Sequence, residues 1–81
     1  MVFVVSKWAD IADCVRYCKY VLYQVKEVGE DEVELRVKAG RVGFEGKFKK
    51  NDPEFKEILQ KLEDYRAHQI TKTMPDEVFF T

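Results

Sequence analysis

The chain reads as an α+β domain: a three-stranded antiparallel meander flanked by two helices, in the order (β)-α-β-β-β-α-(β). Both helices are expected on the apolar face of the sheet. Three observations predict this. The stretch "EVELRVK", 32–38, alternates without fault, with Val33, Leu35 and Val37 on one face and Glu32, Glu34, Arg36 and Lys38 on the other. That is the period of a half-buried strand. The stretch "NDPEFKEILQKLEDYRAHQ", 51–69, opens with capping residues and carries an apolar stripe at helical spacing. On either side of that strand, "GEDE" and "AGR" supply the glycine and aspartate that tight turns need. One domain spanning 1–81 follows from the length.

The elements are justified in order. "MVFVV" is a short apolar run, read as the bracketed first strand. "SKWADIADCVRYC" places Trp8, Ile11, Ala12, Val15 and Cys18 on one helical stripe behind Ser6, a good N-cap. A helix is expected over about 7–18. "KYVLYQVKEV", 19–28, fits two readings: the helical stripe continues through Leu22 and Val25, or a strand begins. Its density of valine and tyrosine favours the strand. "VGFEGKFKK" alternates again, with Val42, Phe44 and Phe48 inward. Gly46 is then a hole between two phenylalanines, where a ring or a helix approaches closely. In the last helix Asn51 or Asp52 caps, Pro53 takes the first position, and Phe55, Ile58, Leu59, Leu62 and Tyr65 form its apolar stripe. The tail 72–81, with Val78, Phe79 and Phe80, is read as an edge strand or a docking segment.

The order α-β-β-β-α resembles that of double-stranded-RNA-binding domains. Those domains carry a Gly-Pro-x-His turn and a Lys-Lys-x-Ala-Lys helix start. Here the turn is "VGED" and the helix opens "DPEFKEI". The resemblance implies topology and not RNA contact.

Composition narrows the function. Charged residues make up 36% of the chain, yet the net charge is −1, so any anionic partner must meet a local patch. Asn and Ser occur once each beside abundant Lys and Glu, a tilt similar to that of thermophile proteins. Cys14 and Cys18 are too few for a disulfide framework, and no apolar run approaches the ~18 residues of a membrane span. A cytoplasmic protein with reduced thiols is expected. Cys14 and Cys18 with His68, the single histidine, make a scattered and incomplete metal set, so neither metal nor cofactor is expected. Asp10/Asp13 and Glu63/Asp64 read as solvated helix faces, and no nucleophile–histidine spacing is present. The chain is expected not to be an enzyme.

The charges are unevenly placed. Residues 38–50 hold Lys38, Arg41, Lys47, Lys49 and Lys50 against Glu45 alone, whereas Glu27, Glu30, Asp31, Glu32 and Glu34 cluster in 27–34. Cross-strand pairing offers one account of this bipolarity, with Glu34 opposite a base of the third strand. The sharper account is a basic β-ribbon for single-stranded DNA or RNA. In it Lys38, Arg41, Lys47, Lys49 and Lys50 meet phosphates, and Tyr20 and Tyr23 stack bases. The alternative function is a protein-interaction or homodimerisation domain without nucleic acid, resting on the apolar runs Phe3–Val5 and Val78–Phe80.

Overall fold

The computed structural model describes residues 3–69. The elements are β1 (Phe3–Val5), α1 (Ala12–Tyr17), β2 (Val21–Glu27), β3 (Glu32–Ala39), β4 (Val42–Lys49), α2 (Pro53–Asp64) and β5 (His68–Gln69). They build an α+β fold around one mixed sheet in the order β1-β4-β3-β2-β5. The meander β2-β3-β4 is antiparallel throughout. The sheet is wider than a three-stranded meander, because β1 adds in parallel beside β4 and the two-residue β5 adds in parallel beside β2. Segment 19–28 resolves as the strand. The tail 72–81 lies outside the described residues.

The two parallel additions explain the helices. The connection from β1 to β2 carries α1 across β4 and β3, and the connection from β4 to β5 carries α2 across β3 and β2. Both cross in the same direction over the same face and so share one hand, as parallel crossovers require. Beneath them lies the core: Ile11 and Val15 of the first crossover, Phe55, Ile58 and Leu62 of α2, and the inward residues Val21, Tyr23, Val33, Leu35, Val37 and Phe44. On β3 and β4 the inward positions Val33, Leu35, Val37 and Phe44 are those the alternating pattern marks.

Two helix boundaries differ from the sequence expectation. The helix expected over about 7–18 is broken into a 3-10 turn, Trp8–Asp10, and α1. Ser6 caps neither, and Lys7 precedes the turn without a side-chain bond. The break lets Trp8 meet Phe44 edge-on at 5.9 Å while Ile11 and Val15 fill the core. The last helix stops at Asp64 rather than running to 69. Arg66 takes a left-handed conformation, φ 59°, and the chain closes a Schellman motif. The Ala67 N–H donates to the Leu62 carbonyl at 2.9 Å and the Arg66 N–H to the Glu63 carbonyl at 3.0 Å. The expected helix start is found: the Asp52 carboxylate accepts from the Glu54 N–H at 2.9 Å, with Pro53 in the first turn.

Gly46 lies between two rings. A Cβ there would stand 2.7 Å from Phe44 Cζ and 3.1 Å from Phe48 Cε2. Phe48 in turn stacks on Phe55 at 5.7 Å, tying β4 to α2.

Candidate nucleic-acid interface

The topology gathers four chain segments at one end of the sheet. Val21 pairs with Ala39, Phe3 with Val42, and Leu22 with His68. The starts of β1, β2 and β5 therefore lie beside the β3–β4 turn at Gly40–Arg41. Gly40 has φ 64°, and a Cβ there would lie in ordinary van der Waals contact with Cys18 Sγ of the α1–β2 link, at 3.9 Å. The Cys18 thiol donates to the Tyr20 carbonyl at 3.2 Å, and the Phe3 N–H donates to the Arg41 carbonyl at 2.8 Å. The Phe3 bond ties β1 to the hairpin turn, and the thiol bond braces the link 18–20 beside it.

The predicted site residues divide between the two ends. Lys38, Arg41 and Tyr20 lie at this hairpin end. Lys49 and Lys50 lie at the other end, beside the acidic β2–β3 turn. There the Lys50 ammonium pairs with Glu27 at 3.2 Å and its N–H donates to the Asp31 carbonyl at 3.0 Å. Along the outer face the register sets carboxylates against the cations: Glu34 faces Lys47 on one side and Lys26 on the other, Glu32 faces Lys49, and Glu45 faces Arg36. The Glu34 carboxylate also accepts from Arg36 Nε at 2.7 Å in a largely buried pair. The register of the basic ribbon thus sets cations opposite carboxylates over much of its length. A phosphate chain laid along it meets Glu32, Glu34 and Glu45 as well as lysines.

Tyr23 is corrected outright. Its ring points inward, is 6% exposed and belongs to the core. Burial raises its hydroxyl above the ordinary tyrosine value, and the Glu63 carboxylate adds to that rise. No base can stack on it. Tyr20 behaves oppositely. It is 61% exposed, and one face rests on the His68 imidazole, with centroids 4.8 Å apart and planes tilted by 32°.

The hairpin end also holds residues that the sequence reading left out of the site. Tyr17 is 75% exposed, and the Arg16 guanidinium lies 5.4 Å from its ring centroid. Lys19, Arg66 and His68 are exposed there too. The readable signal was "RYCKY", 16–20, in which base and ring alternate beside a turn already marked as basic. Its outcome is two exposed tyrosine rings among Arg16, Lys19, Lys38, Arg41 and Arg66, with the acidic turn 27–32 at the far end of the sheet. Each ring has a cationic or aromatic partner. Such partners hold a ring in place at little entropic cost when a base arrives.

Cys14 and Cys18 are free thiols, and His68 stands on β5 rather than at the end of a helix. Among the described residues no group of three or more His, Cys, Asp or Glu side chains is placed to hold a metal ion. Among the same residues no helix is long and apolar enough to cross a membrane. No protein-family model, no curated protein and no solved structure matches the chain.

Proposed function

We propose that this chain is a non-catalytic binding module that holds single-stranded nucleic acid at the hairpin end of its sheet. One arrangement supports the reading: the exposed rings of Tyr17 and Tyr20 flanked by Arg16, Lys19, Lys38 and Arg41. Bases stack on exposed rings, and neighbouring cations follow the backbone. A duplex keeps its bases stacked on one another, so a platform of this kind selects unpaired strands. Lys47, Lys49 and Lys50 play a smaller part than the sequence suggests, because carboxylates stand opposite or beside each of them.

The test is fluorescence anisotropy of labelled single-stranded and duplex oligonucleotides. The single-stranded probe binds at low salt with a log–log salt slope of about −3, from four phosphate contacts at ~0.7 each. Replacing Lys19 and Arg41 by alanine flattens that slope by about half, whereas replacing Lys47 and Lys49 leaves it nearly unchanged. Absence of binding to every probe at low salt overturns the reading.

A second reading, self-association, rests on a separate observation. β1 is an edge strand, and Phe3 and Val4 are 70% and 53% exposed. Exposed apolar edges recruit partners. Sedimentation velocity at micromolar concentration then shows a dimer that Val4→Lys dissociates; a monomer at all concentrations contradicts it.

A further inference from the structure

We infer that the outer face of the sheet is a docking surface for the chain's own residues 70–81, which cover it over β2 and β3. A burial that the described elements leave unexplained carries the inference. Both crossovers, and with them α1 and α2, pack on the inner face. Among the described residues the remaining connections are tight turns at the ends of the strands. The outer face of an antiparallel sheet without a second layer stands in water. Yet Gln24 is 9% exposed and Glu34 is 7% exposed, both pointing outward. The side chain of Arg36, the register partner of Gln24, is only 13% exposed.

The burial is local. On the same face Val4 is 53% exposed, and Lys26, Lys47 and Lys49 are exposed. The cover therefore lies over the middle of β2 and β3 and stops short of the β1 edge. The two residues ahead of β1 start from that open edge and reach only about 7 Å. Residues 70–81 start from the opposite edge. They follow Gln69, whose partner on β2 is Tyr23. Twelve residues extend up to about 40 Å, and β3 is two strand spacings from β5, about 10 Å. Their chemistry fits the surface. Val78, Phe79 and Phe80 bring apolar area, and Leu22 and the stems of Arg36 and Lys38 offer apolar area in return. Asp76 and Glu77 carry charge opposite to that of Arg36 and Lys38. The Glu34–Arg36 pair, bonded at 2.7 Å, goes under the cover as a pair, so no lone charge is buried. The inference is independent of the proposed function, whose exposed rings, Tyr17 and Tyr20, stand at the hairpin end.

The test is NMR of the full chain with a water-soluble paramagnetic agent, which broadens side chains open to solvent. In the wild type the Val4 methyls broaden and the Gln24 carboxamide stays sharp. NOEs join the rings of Phe79 and Phe80 to outward side chains of β2 and β3. In the double variant Phe79→Ser, Phe80→Ser those NOEs are lost and the Gln24 carboxamide broadens as Val4 does. The methyls of Leu35, on the inner face, stay sharp and report that the sheet is still folded. Broadening of Gln24 in the wild type overturns the inference, as does a double variant in which Gln24 keeps its protection. NOEs found only between differently labelled copies assign the cover to a second copy and overturn it too. Should Leu35 also broaden, the variant has unfolded and the wild-type NOEs decide: their absence overturns the inference.

Discussion

Phe44→Ala is expected to cost about 3–5 kcal/mol of folding stability, the range for deleting a buried aromatic ring. The whole stability of an 81-residue domain is on the order of 4–12 kcal/mol. The change therefore removes from about a quarter to all of that stability. The size follows from the site. The ring is fully buried, meets Trp8 edge-on at 5.9 Å and lies 6.4 Å from Phe48. It also fills the space beside Gly46. That shared space couples the two positions. Gly46→Ala alone costs roughly 1–3 kcal/mol, because its methyl would meet Phe44 Cζ at 2.7 Å and the packed ring has no room to retreat. In the Phe44→Ala background the same change costs much less, since the obstructing ring is gone. Urea denaturation of the four proteins closes a double-mutant cycle. Additive costs would show that the ring does not occupy the glycine's space.

Replacing both Tyr17 and Tyr20 by alanine is expected to lower affinity for single-stranded DNA by about a hundredfold. Each ring lost from a stacked base costs ~1–3 kcal/mol, or about tenfold at the lower half of that range. Stability changes little, because both rings project from the surface. Tyr23→Phe serves as the contrast. That ring is part of the core and should leave affinity untouched. Equal losses of binding from Tyr23→Phe and from the double variant would show that the rings at 17 and 20 are not the platform. Retention of full affinity by the double variant would show the same.

The meander was legible because Val33, Leu35, Val37, Val42, Phe44 and Phe48 alternate with polar neighbours, and a one-residue slip would turn them to water. The start of α2 was legible because Asp52 and Pro53 act within a few residues of themselves. Its end was not. A Schellman stop usually announces itself with glycine, and here Arg66 takes the left-handed position, held by backbone bonds and by Ala67 packing on the core. The apolar run of β1 was legible, but its parallel pairing and the whole of β5 were hidden for another reason. β1 and β5 are three and two residues long, and their pairing depends on partners distant in the chain. The candidate site divided along the same line. Alternation told which lysines face outward, but not that the register would set Glu32 and Glu34 opposite Lys49 and Lys47. Nor did spacing alone show that 16–20 folds against the turn at Gly40. That adjacency moves the centre of the site from the ribbon to its end.

The most direct test of the account is an amide-shift NMR titration with an oligothymidylate at low salt. Tertiary placement predicts one contiguous response: residues 16–20, the β3–β4 turn around Lys38 to Arg41, and His68 at the start of β5. The acidic turn 27–32 and the lysines at 47, 49 and 50 should stay in place. Shifts confined instead to Lys47, Lys49 and Lys50, or no shifts at all, would contradict a nucleic-acid site at the hairpin end.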